Sequence, residues 1–405
     1  MRVRRAALAL MTVGAIALSG CTVSEESTES KDSTGSSASS DGPIVLGLAI
    51  SRSGWMAAYD VPAEQAAQLA VDDYNAKGGV AGRKFETKVV DTQTDQQIAA
   101  TAAQQLIADG AEIILASSDF DYGSPTALAA QADGVVTISL GAASPSFGTL
   151  GIGDLAFTLG TPTPTLAAAG AEWAYGKGWT KAAALCDISV EYSSSLCDYF
   201  EESFTDAGGT VVAKENFQQE DASIAQQVNQ LQKADADFIY LGSYLPGGAS
   251  AVRQIRAAGV DLPIVSGAAM EGTEWLASVP NLTDFYFTPA RFIHGPGENE
   301  EVTNFLAEYR EKFGKNPEHS DALVGYAAIQ VLAAALEHNG GDTSGAALAK
   351  ALNELKDVDT VLGPITFSEG TNLALEREMA VVEVSDGQLR LVDHVTPKNV
   401  PTPES

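Results

Sequence analysis

The chain has 405 residues, 45% hydrophobic and 19% charged, which supplies ample core and exceeds what one core usually serves, so two domains are expected. The formal net charge is −29, from 24 Lys and Arg against 53 Asp and Glu. That balance leaves no basic patch and argues against a nucleic-acid partner, while a solvated acidic surface serves solubility without selecting a cationic ligand.

In chain order, MRVRR followed by the apolar run AALALMTVGAIAL reads as a secretory signal peptide over 1–20, too short to span a bilayer comfortably. It ends in Leu18-Ser19-Gly20-Cys21, which resembles the bacterial lipobox and implies cleavage before Cys21 and lipidation of that residue. Loss of Arg2, Arg4 and Arg5 with no acid takes the −29 to about −32. Residues 21–42 then form a Ser-rich tether that buries no apolar area, as an anchored domain needs.

IVLGLAI at 44–50 reads as a strand buried on both faces, followed by the loop SRSGWMAAYDVP and a helix over 63–75. A strand at 85–90 and an Ala-rich helix at 98–108 come next. In the stretch 111–148, IILA is a strand, SSDFDYGSP a polar loop, 126–132 a helix, 135–140 a strand, and GAASPSFG a second polar loop. In a parallel α/β sheet both loops lie at the carboxyl edge where ligands collect. Their hydroxyls, backbone N–H groups and a helix start near Ser124 suit a carboxylate or another small anion. Asp119 and Asp121 lack the further oxygens of a calcium loop, so capping or solvation is the expectation for them.

The pattern then repeats. Helices at 165–175, 196–207, 224–233 and 248–258 alternate with strands at 182–185, 211–216, 237–241 and 262–266. A strand at 285–291, helices at 299–313, 320–337 and 343–355, late strands at 361–367 and 379–384, and a loose tail at 396–405 complete the chain. This alternation indicates right-handed βαβ units and an α/β fold. Cys186 and Cys197 are an even pair in an exported chain, and a bridge between them is one of two open readings. His294, His319, His338 and His394 show no metal-ligand spacing, and no metal or cofactor is implied. GIGDLA at 151–156 does not open a first βαβ unit, and no GxSxG elbow, P-loop or HExxH occurs, so no enzyme is expected.

The order of landmarks DDYNAKGGVAGRKFE, SSDFDYGSP, SLGAASP, YLGSY, IRAAGVDLPIVSG, GYAAIQVLAAAL and VDTVLGPITFSEGTN resembles the solute-binding proteins of ABC transporters for branched-chain amino acids, of the periplasmic-binding-protein type I fold. The resemblance covers nearly all of 44–393. It implies two Rossmann-like lobes, 43–160 plus 290–358 and 161–289 plus 359–395, joined by crossovers near 158–162, 288–291 and 358–362.

It also implies a non-catalytic receptor, monomeric, that closes on a small solute and hands it to ABC permease subunits from a lipid anchor. The alternative is a sensor of the same fold feeding a signalling partner. Carried over by position, the ligand-binding residues are Trp55, Tyr59, Ser117, Ser118, Phe120, Asp121, Tyr122, Gly141, Ala143, Ser144, Tyr192, Tyr244 and Glu271. Ala143 stands where the family has a clamp residue, its hydroxyl falling on Ser144 instead, and the acids of SDFDY are foreign to leucine-type proteins. Glu271 either pairs with a ligand ammonium or the ligand carries none there.

Overall fold

A computed structural model describes residues 42–296 and 298–403. The signal peptide, Cys21 and the tether up to residue 41 lie outside the described residues. Strands β1 (Ile44–Ile50), β2 (Phe85–Asp91), β3 (Ile113–Ala116), β4 (Thr137–Ser139) and β5 (Ala156–Thr158) form an all-parallel sheet in the order β2-β1-β3-β4-β5. The second sheet runs β12-β11-β10-β9-β8-β6-β7. In it β6 (Lys181–Asp187), β7 (Thr210–Phe217), β8 (Phe238–Gly242), β9 (Ile264–Gly267) and β10 (Phe285–Thr288) are parallel. Two antiparallel strands, β11 (Met379–Ser385) and β12 (Gln388–Val395), close its edge. The inner strands β1, β3, β6 and β8 are apolar and buried almost throughout, as strands covered by helices on both faces must be. The α/β class and the two Rossmann-like lobes are therefore as the sequence implied.

Helices α1 (Ala57–Ala76), α2 (Gln96–Ala108) and α3 (Phe120–Ala132) cover the first sheet, and α4 (Thr163–Gly176), α5 (Glu191–Asp206), α6 (Ala225–Lys233) and α7 (Gly247–Ala257) the second. The chain then returns to the first lobe with α8 (Glu300–Phe313), α9 (Asp321–His338) and α10 (Gly345–Glu354). Helix α9 lies directly on α1, where a Cβ on Gly325 would fall 1.9 Å from the carbonyl oxygen of Ala63. Only glycine permits that approach.

Three helices start five or more residues earlier than their apolar periodicity indicates, among them α5, at Glu191 rather than 196. Helix α1 begins at Ala57 rather than 63, and α3 at Phe120 rather than 126, each carrying a proline (Pro62, Pro125) at its sixth position. For α3 the cause is Asp119, whose carboxylate accepts the N–H of Asp121 and caps the helix inside what reads as a loop. Tyr59, Asp60, Phe120, Asp121 and Tyr122 thus sit on first turns of helices, where their direction is fixed.

The third crossover also differs from the expectation. Residues 359–374 stay with the first lobe: the Asn372 amide donates to the carbonyls of Asp154 and Ala156, and Phe367 packs edge-on against Phe157. The chain leaves only at 375–378, where Thr165 donates to the Leu375 carbonyl and buried Arg377 donates to the Leu159 carbonyl of the first crossover. Arg291 of the second crossover donates to the Leu362 carbonyl and pairs with Glu378 at 2.7 Å. Two guanidinium groups therefore bind the three crossings to one another. The expected strand at 361–367 reduces to a single bridge between Val358 and Ile365. The end of the chain is not loose as far as it is described, because the N–H groups of Lys398 and Asn399 both donate to Glu172.

Cys186, at the end of β6, and Cys197, on α5, are joined by a disulfide with Cα atoms 6.0 Å apart. The bridge closes a loop of eleven residues and pins α5 to its strand. Replacing Cys197 with Ser is expected to lower the unfolding free energy by about 2–3 kcal/mol, read by denaturant titration under non-reducing conditions. Two free thiols on the unfolded, unreduced wild-type domain would show that the bridge does not form.

Candidate functional site

Loops leaving the carboxyl ends of strands in both sheets meet at one cleft, and their conformation is set from beneath by a buried acid. Asp60, in the first turn of α1, accepts the Ser51 N–H at 2.8 Å, the Ser117 hydroxyl at 2.8 Å and the Ser118 N–H at 2.7 Å. These bonds hold Asp60 toward its ionised form, but burial outweighs them and pushes its carboxyl up to about 6. The first of the two loops that the sequence offered to a ligand carboxylate is thus occupied, at Ser117 and Ser118, by a carboxylate of the chain itself.

Above it lies a cavity of about 630 Å³ including its open mouth. The first lobe contributes Trp55, Met56, Tyr59, Ser118, Asp119, Gly141 and Ala143, and the second Tyr192, Tyr244, Ala268 and Ala269. The rings form a box. The Trp55 centroid lies 4.8 Å from Tyr244, 5.4 Å from Tyr122 and 6.3 Å from Tyr59. Tyr192 reaches the wall because the strand end beside it is Gly267, where a Cβ would lie 2.5 Å from the tyrosine oxygen.

The lobes touch across this cleft through directed bonds. The Tyr59 hydroxyl donates to the Ala269 carbonyl at 3.0 Å and accepts the Leu245 N–H at 3.1 Å. Asp121 accepts the N–H of Glu191, the first residue of α5, at 2.9 Å, and so caps a helix of the opposite lobe. Ser144 contacts the Glu191 carboxylate at 3.5 Å.

Of the residues expected from sequence, the cavity wall brings together Trp55, Tyr59, Ser118, Gly141, Ala143, Tyr192 and Tyr244. The others lie elsewhere. Ser117 is buried under Asp60, and Phe120 packs against the small cluster around Phe147. Asp121 and Ser144 are at the interlobe contact, and Tyr122 lines the outer mouth beside Trp55.

Glu271 is fully buried behind the wall. Its carboxylate accepts the Ser320 N–H at 2.8 Å and faces His294 Nε2 at 3.0 Å. Burial drives this carboxyl up, but the bond from His294 and the charges of His319 and His294 outweigh it and hold it below its ordinary range. Its oxygens are committed to the protein.

Sequence reasoning missed the wall supplied by the start of α9: His319, Ser320, Asp321 and Val324. The string EHSDALVGY carries the signal, a polar helix start ahead of an apolar run, but the fold alone brings it to the cleft. The Nε2–H of His319 donates to the Ala268 carbonyl at 3.2 Å, and its Nδ1 lies 3.3 Å from Asp321. Burial lowers the His319 pKa, but the neighbouring Asp321 and Glu271 raise it further, to about 9.

Asp119 has the opposite balance. It is 8% exposed, and burial together with the Asp121 charge pushes it up to about 7. Because the folded carboxyl holds its proton more tightly than the unfolded one, ionising it as pH rises from about 4 to 7 works against folding. Asp119→Asn keeps a capping oxygen and is expected to raise Tm above pH 7, with the gain vanishing below about pH 4. A Tm difference independent of pH would show that Asp119 is not held in this way.

Among the described residues no group of His, Cys, Asp and Glu could hold a metal ion, and no helix is long and apolar enough to cross a membrane.

Comparison with known proteins places this geometry. The chain is similar to the Leu/Ile/Val-binding protein BraC3 of Rhizobium johnstonii, 25% identical over 332 residues that cover 82% of this chain and 89% of the relative. The Escherichia coli K12 Leu/Ile/Val-binding protein is 24% identical over 326 residues, covering 79% and 85%. Among solved structures, the substrate-binding protein LivJ from Streptococcus pneumoniae in complex with isoleucine superposes with a TM-score of 0.77 at 23% identity, over 88% of this chain and 100% of that one. A solute-binding protein from R. palustris in complex with benzoate gives 0.73 at 19% identity, over 88% and 97%. The family model described as periplasmic binding protein matches residues 43–388. With both sheets and the cleft inside that span, the chain belongs to the periplasmic binding protein family, binding proteins rather than enzymes.

Proposed function

We propose that this chain is the extracytoplasmic receptor of an ABC importer, capturing a small solute between its lobes and presenting the closed form to the permease subunits. The observation that carries the reading is the Tyr59 hydroxyl, which bonds the second lobe at both Leu245 and Ala269 from the wall of the cavity itself. Closure and enclosure of a solute are then one event, and a solute that fills the wall favours the closed state by its differential affinity. The three crossings bound together by Arg291 and Arg377 supply the hinge, since a few residues there absorb the dihedral change. The proposed ligand contacts are Trp55, Tyr59, Ser118, Gly141, Ala143, Tyr192 and Tyr244. The protein acts as a monomer, held at the membrane face through acyl chains on Cys21.

Calorimetry against a library of amino acids, amides, amines and small carboxylates, with small-angle scattering of each complex, tests this. A binding solute is expected to reduce the radius of gyration. Tyr244→Ala is expected to weaken that solute by ~1–3 kcal/mol and Tyr59→Phe by ~1–2 kcal/mol. In cells, deletion is expected to abolish uptake of the same solute. No compaction with any solute, or uptake unaltered by deletion, would refute the receptor role.

A further inference from the structure

Within the receptor reading, we propose that the solute is a small organic cation, an ammonium group on an apolar body, whose counter-ion is Asp119. Four observations converge on this. First, among the described residues no lysine or arginine lines the cavity, and the one basic side chain there, His319, already faces Asp321 and the Ala268 carbonyl. An anionic ligand would meet two carboxylates and no free cation. Second, Asp119 lies in the wall with its carboxylate bonded to backbone N–H groups, of Asp121 at 2.8 Å and of Tyr122, and none of the charges acting most strongly on it is positive. A buried carboxylate that caps a helix but faces no cation is costly to ionise unless a counter-charge pairs with it.

Third, the acid that could otherwise serve an ammonium, Glu271, stands behind the wall bound to Ser320 and His294. Fourth, the same cavity presents Trp55, Tyr59, Tyr192 and Tyr244, whose ring faces attract a cation and also cover an apolar body. The anion preference expected from the Ser-rich loops is thereby reversed: Ser117 and Ser118 serve Asp60, Ser144 faces Glu191, and the group left at the cavity is the acid Asp119.

Calorimetry with five probes tests the class: choline, n-butylammonium, the neutral choline isostere 3,3-dimethyl-1-butanol, isoleucine and benzoate. At least one ammonium ion is expected to bind 100-fold or more tightly than the neutral isostere, and choline against butylammonium separates a quaternary from a primary group. Asp119→Asn is expected to lose at least tenfold in affinity for that ion while gaining thermal stability at pH 8. A merely structural aspartate would lose both together.

Equal binding of cation and isostere, or an Asp119→Asn variant that binds the ion unchanged, overturns the proposal. Binding of isoleucine or benzoate without either ammonium ion overturns it too, and leaves the receptor reading standing. If none of the five binds, the cation proposal falls. The receptor reading falls with it only if the broad solute library also produces no lobe closure.

Discussion

The buried carboxylate of Asp60 is the constraint on which the first-lobe half of the cleft depends. It bonds the first loop at Ser51 and the third at Ser117 and Ser118, and the Ser51 hydroxyl in turn contacts Thr92 in the second loop at 2.8 Å. Three loops that the sheet merely places side by side become one rigid wall. Tyr59 and Asp119, each adjacent to a residue of this network, take their positions from it. Removing a buried hydrogen-bonded acid leaves its donors unpaired, so the wall has no cheap alternative arrangement. The second lobe repeats the device: Asp187 at the end of β6 accepts from Ser189, Gln219 and Ser243, tying together the loops that flank Tyr192 and Tyr244.

With both walls rigid, closure can be specified by few contacts. Tyr59 supplies two bonds, Asp121 caps α5 from across the cleft, and Ser320 donates to Glu271. Each of these joins the lobes with groups whose own positions are fixed by their lobe. Acids in the cleft are thus divided by task. Asp121 and Glu271 hold the lobes together, Asp321 balances His319, and Asp119 remains without a counter-charge.

The family comparison and the chemistry of the wall carry different information. The family model matched over residues 43–388 fixes the binding-protein family, and structures at TM-scores of 0.77 and 0.73 share the architecture. The side chains on the wall decide what is bound. Here the Ser-bearing loop turns inward to Asp60, and the cleft is furnished with aromatic rings and one acid that faces no cation.

How much was legible in the sequence follows from the range of the interactions involved. Strand and helix alternation and the class of fold were readable, because burial periodicity is a local property, whereas Trp55, Tyr59, Tyr192 and Tyr244 were named only through the family resemblance. The starts of α1 and α3 were not, because Pro62 and Pro125 look like breaks until a cap such as Asp119 is seen to begin the helix before them. Nor was the course of 359–374, which is held by Asn372 to carbonyls more than two hundred residues earlier. The roles of the acids were beyond the sequence for the same reason. Asp60, Asp119, Asp121 and Glu271 are chemically alike in the chain, and only the partners that tertiary folding brings to each decide which one braces a wall, which caps a helix, which receives histidines, and which is left facing the cleft.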